Sequence, residues 1–328
     1  MQNIKTTKHL HKKRLVFIIL ICLFLCIDIA LFFGIKQYFP NAFKNEVTPP
    51  PSNINIQAQS QRKESLKSID LNSQYALLID LEDQSILYEK AATSKIYPAS
   101  LTKVLTCIVA LDFISDINET NTVTQQDLEG LYEANASVAG FEVGDTLTYE
   151  QALFALLLPS GADAANFLAN HLAQSNDNFI KEMNKKAVSL GMRHTHFTNT
   201  TGLHNENHYT TLEDMKKMMD HAWKNPAFVR IITTLKYHIP PIASHPNGID
   251  LTSTLLSYAG DLSYSKGDII GGKSGYTLEA GCCLISIGQN DDGHLYMFIS
   301  AKASGEPSID YNHMKDAKKI YEHVATLQ

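Results

Sequence analysis

Ser100 and Lys103 are a pair whose types and spacing could do chemistry. A hydroxyl and an amine three residues apart share one face of a helix, so they can meet. An amine held in low-dielectric surroundings loses basicity and is partly neutral near pH 7. A neutral amine beside a hydroxyl is a general base beside a nucleophile. The same spacing also arises on many helices as two solvated residues, so the pair alone decides nothing. Two further stretches carry matching groups. Ser160-Gly161 offers a second hydroxyl directly after Pro159. Lys273-Ser274-Gly275-Tyr276 follows Gly271-Gly272 and offers a cation and a hydroxyl. Attack on an amide needs a nucleophile, a base, a proton path to the leaving amine and donors for an oxyanion.

Those groups must be held by particular elements. Pro98 is tolerated at the edge of a helix, and Leu101 to Leu111 is apolar on nearly every face, which predicts a buried helix starting at the serine. Thr148-Tyr149-Glu150-Gln151 reads as a capping box that opens a helix stopped by Pro159, leaving Ser160-Gly161 in a break. A second helix is expected from Asp163 to Leu172, another from Asn178 to Leu190, and a third from Leu212 to Trp223 behind Thr211. Tyr75–Asp80 and Ser85–Lys90 read as a hairpin. Residues 271–277 read as a strand, and Cys283–Gly288 and Leu295–Ser300 flank an Asp-Asp-Gly turn. A final amphipathic helix is expected from Tyr311 to Leu327. Strands at both ends with helices between predict an α/β (α+β) fold: one antiparallel sheet built from both chain ends, with an inserted helical lobe.

The set Ser-x-x-Lys, a serine motif in a helix break, and Lys-Ser-Gly on a strand resembles penicillin-binding proteins and class A β-lactamases. Longer stretches resemble the low-molecular-weight D-alanyl-D-alanine carboxypeptidases, peptidase family S11. They are Tyr97-Pro98-Ala99-Ser100-Leu101-Thr102-Lys103, Leu156 to Ala165, Asn199-x-x-Gly202-Leu203, and Gly272 to Thr277 followed by Ala280-Gly281. The resemblance covers about Asn72 to the C-terminus and implies a β-lactamase/DD-peptidase-like fold. It further implies Ser100 as nucleophile, Lys103 as base and Ser160 as proton relay. Lys273, Ser274, Gly275 and Tyr276 would bind substrate, with the backbone N–H groups of Ser100 and Tyr276 as the oxyanion hole. The implied substrates are peptidoglycan stem peptides, and β-lactam antibiotics are implied as inhibitors.

This chain departs from the family pattern in two places. The second motif is usually Ser-x-Asn, whereas Ala162 stands at the third position here. Asp163 and Asn166 are the nearby candidates to replace that amide. The family often places an arginine downstream of the third motif, and none follows Lys273, which leaves Lys302 as the candidate substitute. Two rival functions stay open. A serine β-lactamase would need a Glu-x-x-Leu-Asn loop, which the helical region does not contain. A non-catalytic penicillin-binding scaffold is suggested by Ala162.

Charge is unevenly placed. Lys5, Lys8, Lys12, Lys13 and Arg14 precede any acid, and the remaining 23 basic residues face 34 acidic ones, a net of −11. A body that acidic is a poor nucleic-acid binder. Leu15–Phe33 is a 19-residue run with Asp28 as its one charge, long enough to span a bilayer. The basic residues before it predict a cytoplasmic N-terminus. The expected organisation is a basic tail at 1–14, a transmembrane anchor at 15–35, an extracytoplasmic linker at 36–70 and a catalytic domain at 71–328. That places the protein in a bacterial cell membrane, single-pass, with its catalytic domain outside. Cys107, Cys282 and Cys283 are expected as packed free thiols. No cofactor or metal is expected: His204 and His208 read as a loop that shapes the cleft, the histidine-glutamate zinc motif is absent, and no phosphate-binding glycine loop is visible.

Overall fold

The structure, a computed structural model, describes residues 64–326. The chain opens with β1 (Ser73–Asp80) and β2 (Ile86–Lys90), then a 3-10 turn at Ala99–Leu101 that runs into α1 (Thr102–Phe113). Next come β3 (Thr120–Thr122), α2 (Gln125–Leu128), β4 (Thr146–Thr148), α3 (Tyr149–Leu157), α4 (Ala162–Ala173) and α5 (Asn176–Ser189). After a long irregular stretch follow α6 (Leu212–Ala222), α7 (Pro226–Ile232), β5 (Lys236–Ile239), β6 (Ile249–Thr252) and α8 (Thr254–Ala259). The chain finishes with β7 (Ser263–Tyr264), β8 (Gly267–Thr277), β9 (Gly281–Asn290), β10 (Leu295–Ala303) and α9 (Asn312–Ala325).

Six strands form one sheet in the order β2-β1-β10-β9-β8-β7, every pairing antiparallel. The sheet therefore joins the two ends of the described chain, as the hairpin and turn signals predict. Successive side chains on a strand point to opposite faces. Leu78, Leu284 and Phe298 pack on one face with Met314, Ile320, Tyr321 and Val324 of α9. Leu77, Ile79, Ile285, Ile287 and Ile299 face the other way, into the cluster that also holds buried residues of α1, α3, α4 and α6. With both faces covered, β1, β9 and β10 are almost wholly buried. Each fully buried Leu, Ile or Phe contributes roughly 1.5–3 kcal/mol relative to exposure.

The capping box at Thr148 forms as its sequence requires, Gln151 N–H donating to Thr148 Oγ1 at 3.1 Å and Gln151 Oε1 accepting from Thr148 N–H at 2.8 Å. Thr211 caps α6 through Asp214 N–H. Among the described residues the three cysteines are free and buried.

Three expectations need correction or limitation. The middle of the chain is not purely helical: β3 pairs with β4 and β5 with β6 as two-stranded ribbons. β3 and β4 are three residues long and mostly polar, and although β5 and β6 alternate polar and apolar residues, four residues are the shortest run in which alternation marks a strand. The linker assigned to 36–70 overlaps the fold, because Leu66 is fully buried in the α9 cluster and Ser65 Oγ lies 2.7 Å from His323 Nε2. A single leucine in a polar stretch is weak sequence evidence, and its burial is decided by α9. Finally, the predicted span at 15–35 and Cys22 and Cys26 lie outside the described residues. Among those described, no helix is long and apolar enough to cross a membrane.

Candidate active site

Ser100 sits in the 3-10 turn that leads into α1, and Lys103 lies one turn on. The Lys103 Nζ donates to Ser100 Oγ at 3.1 Å and to the Thr201 carbonyl at 2.7 Å. Lys103 is 2% exposed. Burial pulls its pKa down to about 7, while the charge of Asp163 acts in the opposite direction. A lysine in that range is partly neutral at physiological pH and can accept a proton.

The carbonyl that receives Lys103 is set by the Asn199-to-Leu203 stretch. Asn199 Oδ1 accepts from Gly202 N–H at 2.7 Å and from Thr201 N–H at 3.2 Å, and its Nδ2 donates to the Leu203 carbonyl at 2.9 Å. Thr106 Oγ1 ties the neighbouring Thr200 carbonyl to α1 at 2.7 Å. Gly202 has φ +86°, and a Cβ there would lie 1.9 Å from the Ala99 carbonyl oxygen. Only glycine allows this loop to lie against the Ser100 turn.

On the opposite side β8 closes on the same turn. A Cβ on Gly275 would lie 2.9 Å from the Ser100 amide nitrogen. The glycine thus lets the strand backbone pass beside the Ser100 N–H, the approach an oxyanion site needs. Ser274 Oγ donates to Thr254 Oγ1 at 2.7 Å, and Tyr258 lines the same wall.

Ser160 lies in the break between α3 and α4 with φ +69°. A non-glycine residue held there costs on the order of 1–3 kcal/mol and is found where the surroundings over-determine it. Its buried hydroxyl has no hydrogen-bond partner among the described residues. Ser100, Ser160, Ser274, Gly275 and Tyr276 line one cavity of about 300 Å³, together with Asn135, Ser137, Thr254, Tyr258 and the 306–308 segment.

Three sequence-predicted residues are placed differently from expectation. Lys273 is fully buried and its Nζ donates to the Ser274 carbonyl at 2.8 Å, so its amine is not on the cavity wall. Burial first, and the nearby Lys103 charge second, push its pKa well below the ordinary lysine value. Asp163 does not enter the cavity as a substitute for the missing amide. Its carboxylate accepts from the N–H groups of Ala139, Gly140 and Phe141 at 2.9–3.2 Å, and so fixes the loop that carries Ser137. Asn166 is likewise engaged, with Nδ2 on the Asp127 carbonyl and Oδ1 accepting from Thr200. Ala162 is a buried methyl group, and Lys302 is exposed.

Thr254, Tyr258, Asn135 and Ser137 were not singled out from sequence. They sit in a short helix and a loop without a motif, and only the fold carries them to Ser100. His208 is also part of the support: its Nε2 lies 2.7 Å from Thr102 Oγ1. Among the described residues no group of His, Cys, Asp and Glu is arranged to hold a metal.

The family model for D-alanyl-D-alanine carboxypeptidases, peptidase S11, matches residues 58–299. The chain is 29% identical over 213 residues to DacF, a D-alanyl-D-alanine carboxypeptidase of Bacillus subtilis, covering 64% of this chain and 52% of that one. It is 34% identical over 207 residues to a D-alanyl-D-alanine carboxypeptidase of Streptomyces strain K15, covering 61% and 70%. The match thus spans about half of the Bacillus relative's length. The crystal structure of the Streptomyces K15 DD-transpeptidase superposes with a TM-score of 0.68 at 27% identity, covering 79% of this chain and 98% of that one. The D-alanyl-D-alanine carboxypeptidase of Mycobacterium tuberculosis does so with a TM-score of 0.67 at 27% identity, covering 79% and 93%. The mixed α/β fold with its antiparallel sheet is that of these DD-peptidase structures.

Proposed function

The chain belongs to peptidase family S11, the D-alanyl-D-alanine carboxypeptidases, and from that premise we propose that it is a serine D,D-carboxypeptidase that removes the terminal D-alanine from peptidoglycan stem peptides. The observation that carries the reading is the Lys103 Nζ to Ser100 Oγ contact of 3.1 Å at the wall of the cavity.

The steps follow from the groups present. Neutral Lys103 takes the Ser100 hydroxyl proton as Oγ attacks the carbonyl carbon of the penultimate D-alanine. The C–O bond forms and the carbonyl oxygen becomes an oxyanion, received by the backbone N–H groups of Ser100 and Tyr276. As the C–N bond breaks, the proton on Lys103 passes through the Ser160 hydroxyl to the leaving nitrogen, and D-alanine departs. The Ser160 hydroxyl is suited to this, since it lines the same cavity as Ser100 and no partner among the described residues competes for it. Water then attacks the Ser100 ester, with Lys103 again as base. The Ser274 hydroxyl, with Thr254 and Tyr258 beside it, receives the substrate's terminal carboxylate. Lys273 contributes from behind the strand, through its bond to the Ser274 carbonyl. A β-lactam follows the same first steps, but its leaving nitrogen stays tethered, so the acyl-enzyme persists. Retention of D,D-endopeptidase activity on cross-links is compatible with the same chemistry, and relatives of that name occur in Escherichia coli and Pseudomonas aeruginosa.

The proposed setting is a bacterial cell membrane, with residues 1–14 cytoplasmic, 15–35 spanning and the catalytic domain outside. The hydrophobic run and the basic residues before it support that reading.

The experiment incubates the full-length chain in detergent with a fluorescent penicillin and, separately, with a peptide ending in D-Ala-D-Ala. A stable adduct that disappears in Ser100→Ala, with D-alanine released by the wild type, supports the proposal. Rapid penicillin turnover without D-alanine release would make it a β-lactamase. Labelling without peptide hydrolysis would make it a scaffold.

A further inference from the structure

Of the described residues lining the cavity that holds Ser100, only Glu306 is a charged side chain, and we propose that Glu306 makes this cleft select peptides whose residue before the D-Ala-D-Ala pair carries a side-chain ammonium group. This rests on the acyl-transfer reading of the same site and names the charge class of its substrate.

The two lysines of the site do not balance Glu306. Lys103 and Lys273 are buried, and their amines are turned onto the Thr201 and Ser274 carbonyls. Burial also lowers the charge that each carries at neutral pH. The rest of the wall is hydroxyl and amide: Ser100, Ser137, Ser160, Thr254 and Asn135 among others. Glu306 enters no ion pair among the described residues. A ligand in the cavity therefore meets hydrogen-bond donors that are neutral and one negative charge at the edge.

The loop that presents Glu306 is built rather than slack. Glu306 N–H donates to Asp310 Oδ2 at 3.0 Å, and Asp310 N–H returns a bond to the Glu306 carbonyl at 2.8 Å. Asn312 Nδ2 closes the base of the loop onto the Ser304 carbonyl at 3.0 Å. These bonds fix the backbone and leave the Glu306 carboxylate free to act on the cavity. An exposed carboxylate acts through water, so its effect on a ligand charge several ångströms away is a factor of a few and falls with salt. A peptide with an unmodified diamino acid side chain supplies the complementary cation. The same peptide with that amine acylated does not.

The test uses the full-length chain in detergent and two matched pairs of probes. One pair is an Nα-acetyl-lysyl-D-Ala-D-Ala peptide with its side-chain amine free or acetylated. The other is a penicillin with a primary ammonium group on its side chain and its uncharged counterpart. In the wild type the charged member of each pair should react about threefold faster at low salt. That ratio should shrink in 0.5 M salt, fall to about one in Glu306→Gln, and invert in Glu306→Lys. A wild-type ratio of one, or a ratio unchanged in Glu306→Gln, overturns the assignment. If the penicillin pair shows the ratio and its loss in Glu306→Gln while neither peptide releases D-alanine, Glu306 stands and the carboxypeptidase reading falls. If no probe acylates Ser100, both fall.

Discussion

The buried Nε2 of His208 lies 2.7 Å from the Oγ1 of Thr102, and Thr102 Oγ1 donates to the Ala99 carbonyl at 2.8 Å. Thr198 N–H donates to the other ring nitrogen at 3.1 Å, so Nδ1 carries a lone pair and the proton resides on Nε2. The imidazole thus donates to Thr102, whose own proton goes to Ala99. Burial, helped by His196 and His204, pushes the His208 pKa down to about 3, so the ring stays neutral through the working range. The chain of donors ends on Ala99, which has φ +47° directly before the nucleophile.

His208→Ala should therefore act on the Ser100 turn. Leaving Thr102 and the Thr198 N–H short of a partner costs about 1–3 kcal/mol. Penicillin acylation is expected to slow by about tenfold or more, and His208→Gln should recover part of the loss, because its amide can both donate and accept. Thermal melts and acylation rates on both variants check this. Equal melts with unaltered rates would show that the histidine is only filling space.

Lys103 sets the pH dependence of acylation. Its protonated form cannot accept the Ser100 proton, and its folded pKa is about 7. The acylation rate should fall about tenfold per pH unit below that value and level off above it. Replacing the amine in Lys103→Met, a side chain of similar length, should cost on the order of 10²–10⁴ in rate at any pH. Wild-type labelling in that variant would remove Lys103 from the mechanism.

The Asp163 carboxylate favours the charged form of Lys103 and so holds its pKa up. Asp163→Asn removes that charge, and the midpoint of the acylation profile should move below pH 7. The sign is the informative part, since the neutral base becomes available at lower pH. The same change weakens the acceptor for the Ala139, Gly140 and Phe141 amides, so the melting temperature should drop as well. A profile that shifts upward would contradict the electrostatic role.

Ser160 separates stability from turnover. Its hydroxyl is buried without a partner among the described residues, and its backbone is left-handed. Ser160→Gly should relieve the backbone and remove an unsatisfied group, so thermal stability is expected to hold or rise. D-Alanine release should nevertheless slow by about 10² if the hydroxyl relays the proton. A more stable protein with unchanged turnover would end the relay assignment.

Gly275→Ala places a methyl group 2.9 Å from the Ser100 amide nitrogen. Either β8 or the Ser100 turn must shift, and a displaced oxyanion donor costs about 10²–10³ in turnover. Steady-state rates with the peptide, compared with far-UV circular dichroism to confirm the fold, measure that loss.

Sequence alone determined the features whose physics is local. The Ser100–Lys103 pairing follows from one helical turn, the Thr148 cap from four consecutive residues, and the β9–β10 hairpin from Asp291-Asp292-Gly293. The joining of both chain ends in one sheet was also legible, because strand signals occur only there in strength. Tertiary structure alone decided what lies across from those elements. It turned the Lys273 amine onto its own strand, placed Asp163 under backbone amides instead of in the cavity, and buried Leu66 beneath α9. It also carried Thr254, Tyr258, His208 and Glu306 to the serine from segments that have no motif of their own. Hydrogen-bond partners separated by tens to hundreds of residues are selected by packing of the whole core, and no periodicity in the chain encodes which of several hydroxyls, amides or carboxylates that packing will bring together.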